Sequence, residues 1–137
     1  MIVIDASSLA KYILKEPRWD VIKGYLEREE VYTVDHAVKE VLNAIWKNTI
    51  LYKTIPRRVA IEKYDLLMNM IMNELIIIEP ETKFLEKAFN IAINHNTTVY
   101  DSLYIAQAIE HGARLLTSDR RQRDVASKLN IETILIL

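Results

Sequence analysis

Four carboxylate side chains stand where the sequence passes between an apolar run and a helical pattern. Asp5 directly follows the run Ile2 to Ile4, and Asp119 directly follows another run of this kind. Asp101 lies at the start of a strongly apolar helical pattern, and Glu40 lies one turn into a different helix. Ligands of parallel α/β sheets bind beyond the carboxyl ends of the strands. We therefore expect Asp5, Glu40 and Asp119 at one edge of a parallel sheet, with Asp101 joining them if its helix starts there.

A cluster of carboxylates without histidine or cysteine is the ligand set of a hard cation such as Mg²⁺ or Mn²⁺. Without an ion the like charges repel one another, and some of the groups take up protons. One or two such ions with open positions activate water and stabilise the leaving oxygen of an in-line displacement. The pattern therefore indicates hydrolysis of phosphodiester bonds.

Each of these acidic residues also has a structural interpretation. Aspartate is a preferred N-cap residue, so each of the three aspartates taken alone could serve only to begin a helix. Glu40 taken alone is typical of a solvated helix surface. Asp35 fits the acidic set less well, and we expect it to cap the helix that begins at His36. The functional interpretation therefore depends on the four residues as a set.

Short apolar runs and helical patterns alternate along the chain. The predicted strands are Ile2 to Ile4, Val31 to Val34, Leu75 to Ile78, Arg114 to Thr117 and Thr133 to Leu137. The predicted helices are Ser7 to Lys15, Trp19 to Glu29, His36 to Lys47, a long helix opened by Pro56, Phe84 to His95, Tyr100 to His111 and Arg120 to Asn130. Strands that lack polar alternation are covered on both faces, and helices between them favour parallel pairing. The sequence therefore predicts a three-layer α/β/α fold.

Composition limits the other kinds of site. The chain has 137 residues, half of them hydrophobic, which suits a single domain over residues 1–137. It has no cysteine and only two glycines, which excludes thiolate zinc sites and glycine-rich phosphate loops. The formal net charge of −1 gives no field that would indicate nucleic acid, but it includes the four carboxylates, and the remainder is mildly basic. The sequence shows neither a signal peptide nor a membrane span, so we expect a soluble cytoplasmic protein with no membrane partner.

Four short stretches together resemble a known family. They are Val3 to Leu9, Glu40 to Ala44, Tyr100 to Ala106 and Leu116 to Asp119. Their order and spacing, and the total length of the chain, are similar to those of the PIN domain, in particular the VapC-like toxin ribonucleases. Each stretch alone is short, so the resemblance depends on the four in order.

This resemblance implies a fold, an activity and partners. The fold is a five-stranded parallel sheet of order 3-2-1-4-5. The activity is a Mg²⁺-dependent endoribonuclease, with Mn²⁺ as an alternative ion, in the toxin half of a toxin–antitoxin pair. The partners are a second copy of the chain in a homodimer and an antitoxin whose extended tail blocks the cleft. The family pattern makes Asp5, Glu40, Asp101 and Asp119 the catalytic and metal-binding residues, with Ser7 and Thr117 as hydroxyls that support them.

Residues around the acidic motifs are candidates for binding. Arg120 and Arg121 directly follow Asp119 and would place positive charge where RNA phosphates pass. Tyr100 belongs to a group of aromatic residues that could stack on unpaired bases, although core or dimer packing is favoured for that group. We expect the three histidines, His36, His95 and His111, to be structural or surface residues, with none near the carboxylate motifs at a ligand spacing. We expect an exposed apolar surface on the first two helices, including Trp19 and Leu26, to receive an antitoxin.

Two alternatives remain open at this level. One is a PIN module without catalytic activity that binds RNA or a protein partner. The other is a phosphate-transferring α/β domain with an N-terminal aspartate nucleophile, as in receiver and haloacid-dehalogenase folds. The second is weaker, because Asp5-Ala6-Ser7 lacks the further aspartate that the dehalogenase pattern requires.

Overall fold

The computed structural model of the chain describes residues 1–137 and contains one sheet of five strands. The strands are β1 (Ile2–Ile4), β2 (Val31–Val34), β3 (Ile77–Glu79), β4 (Arg114–Thr117) and β5 (Thr133–Leu135). All neighbouring strands are parallel, in the order β3-β2-β1-β4-β5. The predicted fold class and strand order are confirmed.

Seven α-helices connect the strands. They are α1 (Ala6–Ile13), α2 (Trp19–Arg28), α3 (His36–Trp46), α4 (Arg57–Met72), α5 (Leu85–His95), α6 (Val99–His111) and α7 (Arg120–Lys128). A π-helical segment, Lys47–Leu51, extends α3, and a 3-10 turn, Glu81–Lys83, precedes α5. By length and hydropathy, none of these helices could cross a bilayer.

The predicted start of the third strand was wrong by two residues. Leu75 and Ile76 still donate their backbone N–H groups to the carbonyl of Met70 at the end of α4. Because these donors close the helix, the strand begins only at Ile77.

The side chains of the central strands alternate between two cores. Ile2 and Ile4 of β1 pack in one core with residues of α1 to α4, and Val3 packs in the other with residues of α5 to α7. All three are completely buried. This alternation, with helices against both faces, makes the three layers. The parallel pairing of β1 with β4 places the carboxyl ends of these two strands side by side.

The structure corrects two expectations about individual residues. Asp35 does not cap α3 with its side chain: it has helical backbone angles, and its carboxylate instead accepts the N–H of Glu81 at 3.0 Å. Leu26 belongs to the core and is only 3% exposed, because it lies on the buried face of α2. Leu26 therefore cannot contribute to the expected docking surface, whereas Trp19 is partly exposed.

Candidate active site

Asp5 lies at the centre of the candidate site, just after β1. Its backbone N–H donates to the carbonyl of Leu116, which ties it to the neighbouring strand β4. Its Oδ1 accepts the Ser7 hydroxyl at 2.6 Å and the Ser8 N–H at 3.0 Å, and its Oδ2 accepts the hydroxyl of Thr117. The bond from Ser8 makes Asp5 the N-cap of α1. Asp5 is thus fixed by donors from α1 and from β4 and is almost fully buried.

Asp119 and Asp101 both lie at the start of a helix, but they have different roles there. Asp119 is the N-cap of α7 and accepts the N–H of Arg121 at 2.8 Å. Asp101 is not a cap: it lies in the first turn of α6, and its own N–H donates to the Thr98 hydroxyl at 3.1 Å. Because Thr98 is the cap, the carboxylate of Asp101 is not used by the helix end.

Glu40 is held by two residues that the sequence did not associate with it. The buried Tyr104 hydroxyl donates to Glu40 Oε1 at 2.7 Å, and the His36 Nε2 lies 3.0 Å from the same oxygen. The expectation that no histidine falls near the carboxylate motifs was therefore wrong for His36. Since His36 and Glu40 are four residues apart on α3, the helical spacing was a readable signal for this contact.

The structure brings all four predicted acidic residues to one pocket. Asp5, Glu40, Asp101 and Asp119 line a cavity of about 230 Å³ at the carboxyl ends of β1 and β4, together with residues that include Ser7 and Tyr104. This is the place where the strand order reverses direction around β1, and parallel α/β sheets bind ligands at such a place.

The pocket is lined by carboxylates and by no basic side chain. Burial raises the pKa of Asp5 to about 6, against the hydrogen bonds from Ser7, Thr117 and Ser8 that lower it. Burial also raises the pKa of Asp101, and the charges of Asp119 and Glu40 add to the effect. No arginine, lysine or histidine lines this cavity. The site therefore favours a cation from outside the protein.

The donor chemistry of these residues fits Mg²⁺ or Mn²⁺. A carboxylate offers about four lone-pair sites, and Asp5 uses three of them on Ser7, Ser8 and Thr117. No three acidic or histidine side chains lie close enough to enclose one ion. Mg²⁺ nevertheless binds through one or two carboxylates and keeps several waters, so a closed protein cage is not required.

The two predicted RNA-binding arginines lie outside the pocket, at the start of α7. Arg120 and Arg121 are both exposed. The Arg121 guanidinium donates to the carbonyl of Asn96 at 2.8 Å, which links α7 to the turn between α5 and α6. Both positive charges therefore lie on the α7 side of the acidic site, next to Asp119.

Comparison with known proteins identifies relatives along most of the chain. The family model described as the PIN domain matches residues 2–128. Ribonuclease VapC3 of Pyrobaculum aerophilum is 30% identical over 126 residues, which cover 88% of this chain and 90% of the relative.

Solved structures share the fold. The VapC20 toxin of Mycobacterium tuberculosis, described as cleaving the sarcin-ricin loop, has a TM-score of 0.66 at 17% identity, covering 90% of this chain and 94% of that one. VapBC2 of Rickettsia felis, bound to a DNA fragment from its promoter, has a TM-score of 0.66 at 13% identity, with 100% of both chains covered.

Proposed function

The chain belongs to the PIN domain family, and from that premise we propose that it is a metal-dependent endoribonuclease, the toxin of a VapBC-like toxin–antitoxin pair. The observation that carries the proposal is the single pocket lined by four carboxylates without a cation from the chain. The similarity to Ribonuclease VapC3 supports RNA as the substrate. We also propose that residues 1–137 act as one domain.

In the proposed site, Asp5 and Asp101 hold the Mg²⁺ or Mn²⁺ ion. When bound there, such an ion would supply an activated water and would stabilise charge on the leaving oxygen of the phosphodiester. Ser7 and Thr117 fix the carboxylate of Asp5, so that its remaining lone pair keeps one direction.

Glu40 and Asp119 complete the site or orient the attacking water. Tyr104 and His36 both contact Glu40 Oε1, and Oε2 receives no bond from the chain. Burial and the charge of Glu40 raise the pKa of Tyr104, so Tyr104 stays protonated and remains a donor. Glu40 Oε2 can therefore accept a proton from the water that attacks the phosphorus.

The exposed arginines at the start of α7 support RNA binding. Arg120 and Arg121 lie beside Asp119, so they can contact a phosphate near the bond that is cleaved. Because these positive charges lie just outside the acidic pocket, they can attract an anionic substrate. Their side chains do not occupy the metal site.

Two exposed apolar surfaces suit the proposed partners. A groove of about 480 Å³ between α3 with its π-helical extension and α4 is lined largely by hydrophobic residues, including Trp46, Ile50 and Ile61. On α5, Leu85 and Phe89 are exposed one turn apart. A concave groove suits an inserted antitoxin segment, and a protruding helix stripe suits a symmetric homodimer. The VapBC2 structure supports an antitoxin as partner.

The proposed activity is tested with single-stranded RNA. Wild-type protein should cleave it with Mg²⁺ and should stop when EDTA is added. Asp5→Asn should not cleave, whereas Asp35→Asn should cleave like wild type, because the Asp35 carboxylate accepts only the Glu81 N–H and lies outside the pocket. Equal cleavage by wild type and Asp5→Asn would show that the site is assigned wrongly.

One observation is also compatible with the alternative of a non-catalytic PIN module. No three candidate ligands lie close enough to enclose an ion in this structure. If calorimetry detects RNA binding but neither Mg²⁺ nor Mn²⁺ binding, the chain is a binding module rather than a nuclease.

A further inference from the structure

A second groove opens beside the acidic pocket. It has a volume of about 370 Å³ and is lined by His36, Glu40, Thr98, Tyr100 and Asp101. Glu40 and Asp101 also line the acidic pocket, so the two depressions share a wall. An RNA strand that occupies the acidic pocket can therefore continue directly into this groove.

Two stacked rings form part of the groove. The imidazole of His36 and the ring of Tyr100 have centroids 4.9 Å apart and planes inclined by only 15°. His36 is held in place by Glu40 at 3.0 Å and lies 3.9 Å from Glu81 on its other nitrogen. Tyr100 is nevertheless 61% exposed. The fold thus supports the tyrosine ring from behind and still presents it to solvent.

The charges around the rings decide which part of an RNA suits the groove. Glu40 and Asp101 would repel a phosphate that entered without an ion. An unpaired base is uncharged and stacks on an aromatic ring whatever its identity. The groove therefore fits a base rather than the backbone.

Resting on the proposed function, we propose that Tyr100, supported by His36, is the platform on which the base next to the cleaved phosphodiester stacks. Tyr100 is then a substrate-binding residue, and His36 is a positioning residue that fixes its ring. The shared wall explains why this base lies beside the reacting phosphate, because one nucleotide must lead from the groove into the acidic pocket.

The test is steady-state cleavage of a mixed-sequence single-stranded RNA by Tyr100→Ala, Tyr100→Phe and Tyr52→Ala. Tyr52 is a matched control, since it is 63% exposed and lines neither the groove nor the acidic pocket. Tyr100→Ala should raise KM about 10-fold or more and change kcat little, because it removes a base stack without touching the carboxylates. Tyr100→Phe should keep the wild-type KM, and Tyr52→Ala should match wild type.

Two results would overturn the platform while leaving the proposed function intact. One is that wild type cleaves the RNA, but Tyr100→Ala and Tyr52→Ala have the same KM. The other is that KM rises but light scattering at the assay concentration shows a lost homodimer, which would make Tyr100 an interface residue. If wild type itself neither binds nor cleaves the RNA, the proposed function and the platform both fail.

Discussion

Asp5 and Glu79 are both shielded carboxylates at the ends of strands, yet the fold treats them in opposite ways. Asp5 follows β1 and is surrounded by hydroxyl and N–H donors and by further carboxylates. Burial raises its pKa to about 6. Its carboxylate accepts hydrogen bonds, but it has no cationic side chain as a partner.

Glu79 ends β3 and has its own cationic and polar partners. Gln107 donates to its Oε1 at 2.9 Å, His111 contacts the same oxygen, and Lys83 lies 3.8 Å from Oε2. Burial by itself would raise the pKa of Glu79, but the bonds from Gln107 and His111 outweigh it, and the pKa is lowered. Glu79 is therefore compensated within the chain.

The difference separates a structural carboxylate from a functional one. A buried acid that serves only the fold is paired, since an unpaired buried charge is costly. The Asp5 pocket keeps this cost in the free protein, which indicates that something outside the chain removes it. The divalent cation of the proposed function would do so directly.

The largest expected effect contrasts a second carboxylate of the Asp5 pocket, Asp101, with Glu79 in catalysis. Asp101→Asn should lower kcat by more than about 100-fold, because loss of groups that merely orient metal ligands already costs about 10- to 100-fold. Glu79→Gln should keep kcat close to wild type, measured on the same RNA. Similar losses in both variants would remove the distinction between them.

A smaller effect is expected from the hydroxyl that holds Asp5. Thr117→Val keeps the side-chain shape but removes the donor to Asp5 Oδ2, so kcat should fall about 10- to 100-fold. Thr117→Ser restores the hydroxyl and should recover most of the activity. Full activity in Thr117→Val would mean that the carboxylate does not need to be fixed.

Stability without metal should depend on pH through Asp5. Its pKa in the folded protein is raised from 3.8 to about 6, so its contribution is complete below pH 3.8 and is lost as the pH rises through about 6. Asp5→Asn cannot ionise, so its stability relative to wild type should increase over this window. We expect about 1 to 2 kcal/mol, since the shift corresponds to at most about 3 kcal/mol and the amide forms weaker hydrogen bonds.

Urea denaturation in EDTA measures this difference. Saturating Mg²⁺ should then stabilise wild type and leave Asp5→Asn unchanged. A stability difference that stays constant with pH would show that Asp5 is compensated after all.

Glu79→Gln should change stability in the opposite direction and by the smallest amount. The pKa of Glu79 is lowered below 4.5, so its contribution is present above that value and is lost as the pH falls through the lower folded pKa. The variant should lose about 1 kcal/mol of unfolding free energy at neutral pH. The loss should shrink in acid, as followed by the same urea titrations, and an unchanged loss in acid would contradict the pairing with His111.

The sequence predicted the features that depend on local pattern. Apolar runs and the acids that follow them identified the sheet and the set around Asp5, because side chains at parallel strand ends share one edge. The contact of His36 with Glu40 was also local, at helical spacing, but it was overlooked. The bond from Tyr104 to Glu40 joins residues 64 positions apart, and no local pattern indicates it. Leu26 was misjudged because a short helix does not reveal from its own sequence which face the next layer covers.

The most direct test of the account is calorimetric titration of Mg²⁺ into the free protein. Wild type and Glu79→Gln should bind the ion with similar affinity, and Asp5→Asn should show no saturable binding. Equal binding by Asp5→Asn, or no binding by wild type, would contradict the claim that the carboxylates around Asp5 are compensated by a divalent cation.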